Sequence, residues 1–157
     1  MRVKSIVTLC AAVLLVACAP LHPAPGPALR AEVDAFLSNY LAAIGSRDAA
    51  RIRAAYVADD RFVWMEDGRV RYRKVDDVLA SLAMFPAGSA IRTELKDLAV
   101  VPVGPSGAHA WASFRTSIGE GPSGFAFGGA ISFTLERHGT SWKIVGGHAS
   151  SPSRRSS

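Results

Sequence analysis

The segment that most constrains the fold lies near the C-terminus, at residues 128–151. Ile131, Phe133 and Leu135 alternate there with polar residues, which is the two-residue period of a strand with one buried face. A second apolar run begins at Trp142. The segment therefore predicts two long antiparallel strands joined as a hairpin.

Two features of this hairpin predict its shape. Residues 137–141 are mostly polar and contain a glycine, as expected of a short hairpin connection. Gly146 and Gly147 lie within the return strand, where paired glycines indicate a bulge, a sharp bend or a close approach of another part of the chain. We therefore expect a bent sheet that closes on a pocket.

The first 17 residues have the composition of a secretory leader. Arg2 and Lys4 precede an apolar run over residues 6–16, which is too short to cross a bilayer as a helix. We therefore expect residues 1–17 not to be part of the folded domain.

The leader ends with Leu-Val-Ala-Cys at residues 15–18. This segment resembles the lipobox of bacterial lipoproteins, which has a leucine, a small or β-branched residue and a small residue before a cysteine. The resemblance implies lipidation of Cys18 and anchoring in a membrane, and Ala19 after it implies the outer membrane, facing the periplasm. The alternatives are an ordinary leader with an incidental cysteine, or an uncleaved anchor. Cys10 lies in the leader, so no thiol remains for a disulfide.

The formal net charge of +5 does not indicate a nucleic-acid-binding protein. Four of the 18 basic residues lie in the leader and the tail, and the rest nearly balance the 13 acidic residues. The internal basic cluster at residues 69–74 alternates with apolar residues, which predicts the solvated face of a strand.

The mature chain divides into three parts. Residues 18–29 are Pro-rich and predict an extended tether, residues 30–152 a single domain, and residues 153–157 a disordered tail. An apolar stripe predicts a helix from Ala31 to Gly45, and Ser46 or Asp48 can cap a second.

The order of the remaining elements predicts an α+β fold. A short strand pair over residues 62–72 and a third helix over residues 75–82 precede long strands at residues 91–103, 108–118 and 128–151. Helices followed by consecutive antiparallel strands predict helices packed on one face of the sheet.

Three sequence segments together resemble the SnoaL-like branch of the nuclear transport factor 2-like superfamily. They are YLAAIGSRDAARIRAAY from Tyr40, ADDRFVWMEDG from Ala58 and WKIVGGHASS from Trp142. The resemblance implies a cone-shaped α+β barrel, with three N-terminal helices on a strongly curved, mixed and mostly antiparallel sheet. It also implies a homodimer that pairs through the outer face of the sheet.

Ketosteroid isomerase belongs to the same superfamily and uses an aspartate base with a tyrosine and a protonated acid as oxyanion donors. When the resembling segments are aligned, Tyr40 matches the position of the tyrosine, Met65 that of the base and Ile131 that of the acid. A thioether cannot abstract a proton, and Glu66 is expected on the opposite face of the strand. That isomerase reaction is therefore not predicted.

Six residues remain as candidates for the pocket: Tyr40, Tyr56, Trp64, Trp111, Arg115 and His148. His148 is a candidate acid, base or hydrogen-bond donor, or else a histidine satisfied by backbone groups. The tryptophans equally suit the packing of the core. His109 and His148 lack an evident carboxylate companion, so neither a metal nor another cofactor is expected.

Two functional hypotheses follow. The first is an envelope lipoprotein whose pocket binds a small apolar ligand or a partner protein without catalysis. The second is a small isomerase, cyclase or hydrolase that acts on an apolar carbonyl or epoxide compound. The second requires His148 to converge with Tyr40 or Arg115 around one cavity.

Overall fold

A computed structural model describes residues 26–119 and 124–152, so that Cys18, the leader and the tail lie outside the described residues. Within the described part, no helix is both long and apolar enough to cross a membrane. The elements are α1 (Pro27–Ser46), α2 (Ala49–Ala55), β1 (Val63–Glu66), β2 (Arg69–Tyr72), α3 (Val75–Ala83), β3 (Ile91–Val103), β4 (Gly107–Ile118), β5 (Phe125–His138) and β6 (Ser141–Ser150).

The strands form one mixed sheet in the order β2-β1-β6-β5-β4-β3. Every neighbouring pair is antiparallel except β1 and β6, which run parallel. The predicted α+β architecture of three helices on a mixed sheet is confirmed. The sheet is open, with β2 and β3 at its edges, so the expected barrel does not close.

Helix α1 supplies much of the core that covers the inner face of the sheet. Val33 and Leu37 are fully buried and Tyr40 is nearly so, as their spacing of three and four residues predicts. They belong to the same apolar cluster as Phe133 and Ile144 of the sheet. Burying each aliphatic side chain of this kind contributes about 1.5–3 kcal/mol, so this stripe holds the helix in place.

The ends of α1 differ from the sequence prediction. The helix begins at Pro27, because a proline is well tolerated at a first helical position, so residues 27–29 are helical and do not belong to the tether. Gly45 lies inside the helix, and a Cβ there would stand 2.7 Å from the carbonyl oxygen of Ile91. The helix ends instead at Arg47, which adopts a left-handed conformation with φ 55°.

The second helix and the first hairpin follow the predicted local signals. The side chain of Asp48 caps α2 by accepting a hydrogen bond of 3.0 Å from the amide of Arg51. Asp67 and Gly68 form the turn between β1 and β2 with φ values of 46° and 78°, the positive values that a two-residue hairpin turn favours.

The C-terminal hairpin is tighter than predicted. His138 pairs with Ser141, so the turn consists of residues 139–140 and the strands include the flanking residues assigned to the loop. Gly139 has φ 61°, a conformation that glycine adopts without strain. The connection can therefore be shorter than its polar sequence indicates.

The paired glycines of β6 mark a close approach. A Cβ on Gly146 would lie 2.6 Å from the carbonyl oxygen of Val63, and one on Gly147 would clash with the ring of Trp64. A register shift between β5 and β6 lies next to them, opposite Leu135 and Thr134. Two of the three predicted alternatives for this segment, a bulge and a close approach, are thus present.

Candidate functional site

A mostly apolar cavity lies between α1, α3 and the inner face of the sheet, with a volume of about 520 Å³. Its walls are mainly aliphatic and aromatic side chains from both layers. They include Leu41, Ile44, Val78, Leu82, Phe85, Ile91, Phe114, Ile118, Phe127 and Ile131. A concave, mostly apolar space with a few polar groups is the usual form of a small-molecule site.

A pair of tyrosines forms the buried end of this cavity. Tyr40 projects from α1, and Tyr56 follows the last residue of α2. Their hydroxyl oxygens are 2.6 Å apart, and their rings meet edge to face with centroids 5.7 Å apart. Tyr56 also packs edge to face on Phe62, and Tyr40 on Phe133, so both rings are held by the core.

Burial keeps both hydroxyls protonated. Desolvation raises the pKa of Tyr40 to about 12, although its hydrogen bond with Tyr56 acts in the opposite direction. The pKa of Tyr56 is also raised, mainly by burial and then by the proximity of Tyr40.

Two protonated hydroxyls joined by one hydrogen bond leave one O–H with nothing to donate to. Among the described residues, each hydroxyl has the other as its hydrogen-bond partner. A ligand oxygen in the cavity can accept this remaining proton. The tyrosine pair is therefore a ready donor at the end of an apolar space.

Polar side chains lie at the more exposed end of the cavity. Glu66 accepts a hydrogen bond of 3.2 Å from the indole nitrogen of Trp64 and lies 3.6 Å from Arg71. The hydroxyl of Tyr72 donates to Ser81 at 2.8 Å. The side chains of Glu66 and Arg71 are 40% and 57% exposed, so these charges remain solvated.

The structure brings three of the six predicted pocket residues together. Tyr40, Tyr56 and Trp64 line the cavity. Trp111 and Arg115 do not, because on β4 the alternate residues, such as Phe114 and Thr116, are the buried ones. Placing Trp111 and Arg115 in the pocket was therefore wrong.

His148 also lies outside the cavity. It pairs with Ser132 of β5, which in turn pairs with Trp111, and paired residues share one face of a sheet. Trp111 is 44% exposed, so this is the outer face. The predicted convergence around the cavity does not occur, because Tyr40 lies on the inner side of the sheet and His148 on the outer side. Arg115 is also on the outer side, away from the cavity.

The expected positions of Met65, in the pocket, and of Glu66, on the opposite face, were wrong. Glu66 lines the cavity together with Trp64, whereas Met65 is 37% exposed and pairs with His148 of the outer face. Neighbouring residues of a strand point to opposite faces, so Trp64 and Met65 cannot both face the pocket. Ile131 does line the cavity, as expected.

Sequence reasoning missed Glu66 and Arg71 as cavity residues. The position of Glu66 two residues after Trp64 was the available signal, since residues two apart share a face. Arg71 was predicted on a solvated strand face. Its side chain is indeed exposed, but it also lines the rim of the cavity.

No cluster of three or more His, Cys, Asp or Glu side chains suited to a metal ion occurs within residues 26–119 and 124–152.

Comparison with known proteins identifies relatives of this fold. The family model of the SnoaL-like domain matches residues 33–154. A nuclear transport factor 2-like superfamily protein from Salmonella enterica serovar Typhimurium is 14% identical, with a TM-score of 0.67 over 82% of this chain and 94% of that one. None of the curated proteins compared with the sequence matches it.

Two further solved structures are similar. An NTF2-like protein of unknown function from Pseudomonas putida is 21% identical, with a TM-score of 0.65 over 81% of this chain and 89% of that one. The beta subunit of the benzoate 1,2-dioxygenase from Burkholderia mallei is 10% identical, with a TM-score of 0.65 over 77% of this chain and 89% of that one. At such identities the likeness establishes the fold alone.

The tyrosine pair predicts a loss of stability in alkali. Because the pKa of Tyr40 is raised from 10.0 to about 12, its stabilising effect is complete below pH 10 and is lost as the pH rises towards 12. Urea unfolding across this range should show a shallower decline for the Tyr40→Phe, Tyr56→Phe double variant than for the unsubstituted protein. Equal slopes for the two proteins would contradict the assignment.

Proposed function

This chain belongs to the SnoaL-like domain family, and we propose that it uses the fold to bind a small, mostly apolar molecule that carries an acceptor oxygen. The observation that carries the proposal is the buried Tyr40–Tyr56 pair, which retains one O–H to donate at the end of the cavity. The apolar walls supply affinity, and the hydroxyl fixes the orientation of the ligand.

The dimensions of the cavity support a ligand of this kind. Its volume of about 520 Å³ falls within the range of roughly 300–1,000 Å³ that is common for small-molecule sites. A ligand oxygen that leaves water without finding a new hydrogen-bond donor costs free energy. The free O–H of the tyrosine pair offsets this cost for one ligand oxygen. A hydrocarbon without oxygen would leave the O–H unpaired, so a carbonyl, ester or ether compound fits better.

A second candidate function is proton transfer to or from the bound molecule. Glu66 supports it, since its carboxylate lines the same cavity as the tyrosine pair. A carboxylate base with a hydroxyl donor is a workable arrangement for isomerising, cyclising or hydrolysing a carbonyl or epoxide compound. In this second candidate function, Glu66 is the acid or base in place of His148.

We further propose that the domain is held at the bacterial outer membrane, on its periplasmic side, by a lipid on Cys18. The support is the sequence of the leader, whose basic start, short apolar run and terminal cysteine agree with one another. Cys18 lies outside the described residues. Several acyl chains, at about 0.8 kcal/mol per buried methylene, would make such an anchor stable.

We also propose that two copies associate through the outer face of the sheet. This face exposes Met65, Val101, Val103 and Trp111, which are between 37% and 53% accessible. Exposed apolar residues collected on one sheet face are typical of an interface. Burying the same patch on both copies would give a twofold dimer.

The ligand proposal predicts a selective effect of the hydroxyls of the tyrosine pair. The natural ligand can be identified by mass spectrometry of an organic extract from the full-length protein, captured quickly from solubilised membranes. In titrations with that compound, the Tyr40→Phe, Tyr56→Phe double variant should weaken binding on the order of tenfold, because no hydroxyl of the pair remains to donate to the ligand.

Tyr72→Phe provides the matched control for this measurement. It removes a hydroxyl from the same cavity, but one already bonded to Ser81, so affinity should change little. Equal losses from both variants would contradict the proposal. Turnover of the compound that disappears in Glu66→Gln, with binding retained, would favour the catalytic candidate.

The anchor proposal predicts that Cys18→Ser prevents processing and membrane retention. Cells grown with labelled palmitate should incorporate label into the unsubstituted protein and none into the variant. An unlabelled, freely soluble mature form of the unsubstituted protein would overturn the proposal.

The dimer proposal predicts that a charge on the outer face separates the copies. Trp111→Arg should halve the protein mass measured by sedimentation in detergent, because the new charge would be buried at the interface. Met84→Arg, at an exposed position just after α3 and outside the sheet, is a control that should leave the mass unchanged. A single-copy mass for the unsubstituted protein at high concentration would exclude the dimer.

A further inference from the structure

A second cavity of about 650 Å³ lies between α1, α2 and the turn of the C-terminal hairpin. Three cationic side chains from three different elements line it: Arg51 from α2, Arg137 from β5 and Lys143 from β6. Glu32 is the one carboxylate among its lining residues. We call this cavity the basic notch, and its lining carries an excess of two positive charges.

The cations of the basic notch have hydrogen-bonding capacity to spare. Arg137 forms an ion pair with Glu32, Arg51 donates at 3.4 Å to the carbonyl of Asn39, and Lys143 donates to the carbonyl of Ala54. Each of these contacts uses one nitrogen of a group that carries several N–H donors. The remaining donors are available to an incoming anion.

Trp142 supplies an independent sign that the notch lacks an acceptor. The residue is 6% exposed and lines the notch, with the guanidinium of Arg137 lying 4.5 Å above its ring. Its indole nitrogen is buried and has no hydrogen-bond partner among the described residues. Buried donors without an acceptor are rare, because they lose hydration without compensation.

We propose that the basic notch is a binding site for a phosphate group. An anion that draws Arg137 away from Glu32 would also uncover the ring beneath the guanidinium and bring an acceptor near the indole nitrogen. Guanidinium groups match the geometry of phosphate oxygens with paired N–H donors. Arg51 and Lys143 supply the further charge.

The charge balance favours phosphate over a carboxylate. The carboxylate of Glu32 is already satisfied by the single cation Arg137, which leaves Arg51 and Lys143 without an anionic partner in the notch. A phosphate offers more oxygens and more charge, so it can accept from three elements at once. The group can belong to a soluble phosphate compound or to a lipid headgroup.

The test follows the indole N–H resonance of Trp142 in the full-length, nitrogen-labelled protein in a neutral detergent. Trp142→Phe assigns the resonance among the three tryptophans of the chain. One titration adds inorganic phosphate, and another adds phosphatidylglycerol to the micelles. We expect a saturating shift in at least one titration, and which one responds distinguishes a soluble phosphate from a headgroup.

Two neighbouring arginines of α2 provide a matched pair. Arg51→Gln should weaken the response about tenfold or more, because a charge-assisted hydrogen bond is lost. Arg53→Gln should leave it unchanged, since Arg53 is paired with Asp76 and does not line the notch. Glu32→Gln should tighten binding by releasing Arg137.

The proposal is overturned if neither phosphate source shifts the resonance, or if chloride at the same ionic strength shifts it equally. It is also overturned if Arg53→Gln weakens the response as much as Arg51→Gln. Circular dichroism of each variant establishes that the fold is retained.

Discussion

The parallel pairing of β1 with β6 is the constraint on which the cavity depends. Val63 and Trp64 lie beside Gly146 and Gly147, and the absence of side chains on these glycines lets the strands and the indole ring approach. This pairing places Trp64 and Glu66 on the cavity wall. Without it, β6 would be an edge strand and the cavity would lose the wall that Trp64 and Glu66 form.

The elements were largely predictable because their signals are local. Each signal depends on residues that are close together in the sequence, as in the apolar stripe of α1, the Asp48 cap and the Asp67–Gly68 turn. The arrangement of the elements was predicted from the family resemblance, and the observed α+β fold confirms it. The closed barrel was not confirmed, since closure depends on contacts between edge strands that the sequence does not encode locally.

The site was only partly predictable, for a physical reason. Alternation divides a strand into two sets of residues but does not say which set meets the helices. On β4 the small residues Ala110 and Ala112 are buried, and the large Trp111 is outside. Choosing the larger and more polar set therefore gave the wrong face, while Tyr40 was correct because helical spacing fixed its direction.

Tyr40 lines both the apolar cavity and the basic notch, so one ring separates two spaces of opposite character. On one side its hydroxyl meets Tyr56 among apolar walls. On the other side the lining is charged. The same helix thus contributes a residue to both spaces, and a movement of α1 would change both at once.

The pairing of β1 with β6 also shapes the order in which the chain can fold. It joins residues 63–66 to residues 146–149, which are far apart in the sequence, whereas β3 to β6 form a meander of adjacent hairpins. Closing a long loop costs chain entropy before any contact compensates for it, and contacts distant in sequence slow folding. The meander can therefore assemble first, and the cavity acquires its last wall only when the β1–β2 hairpin docks.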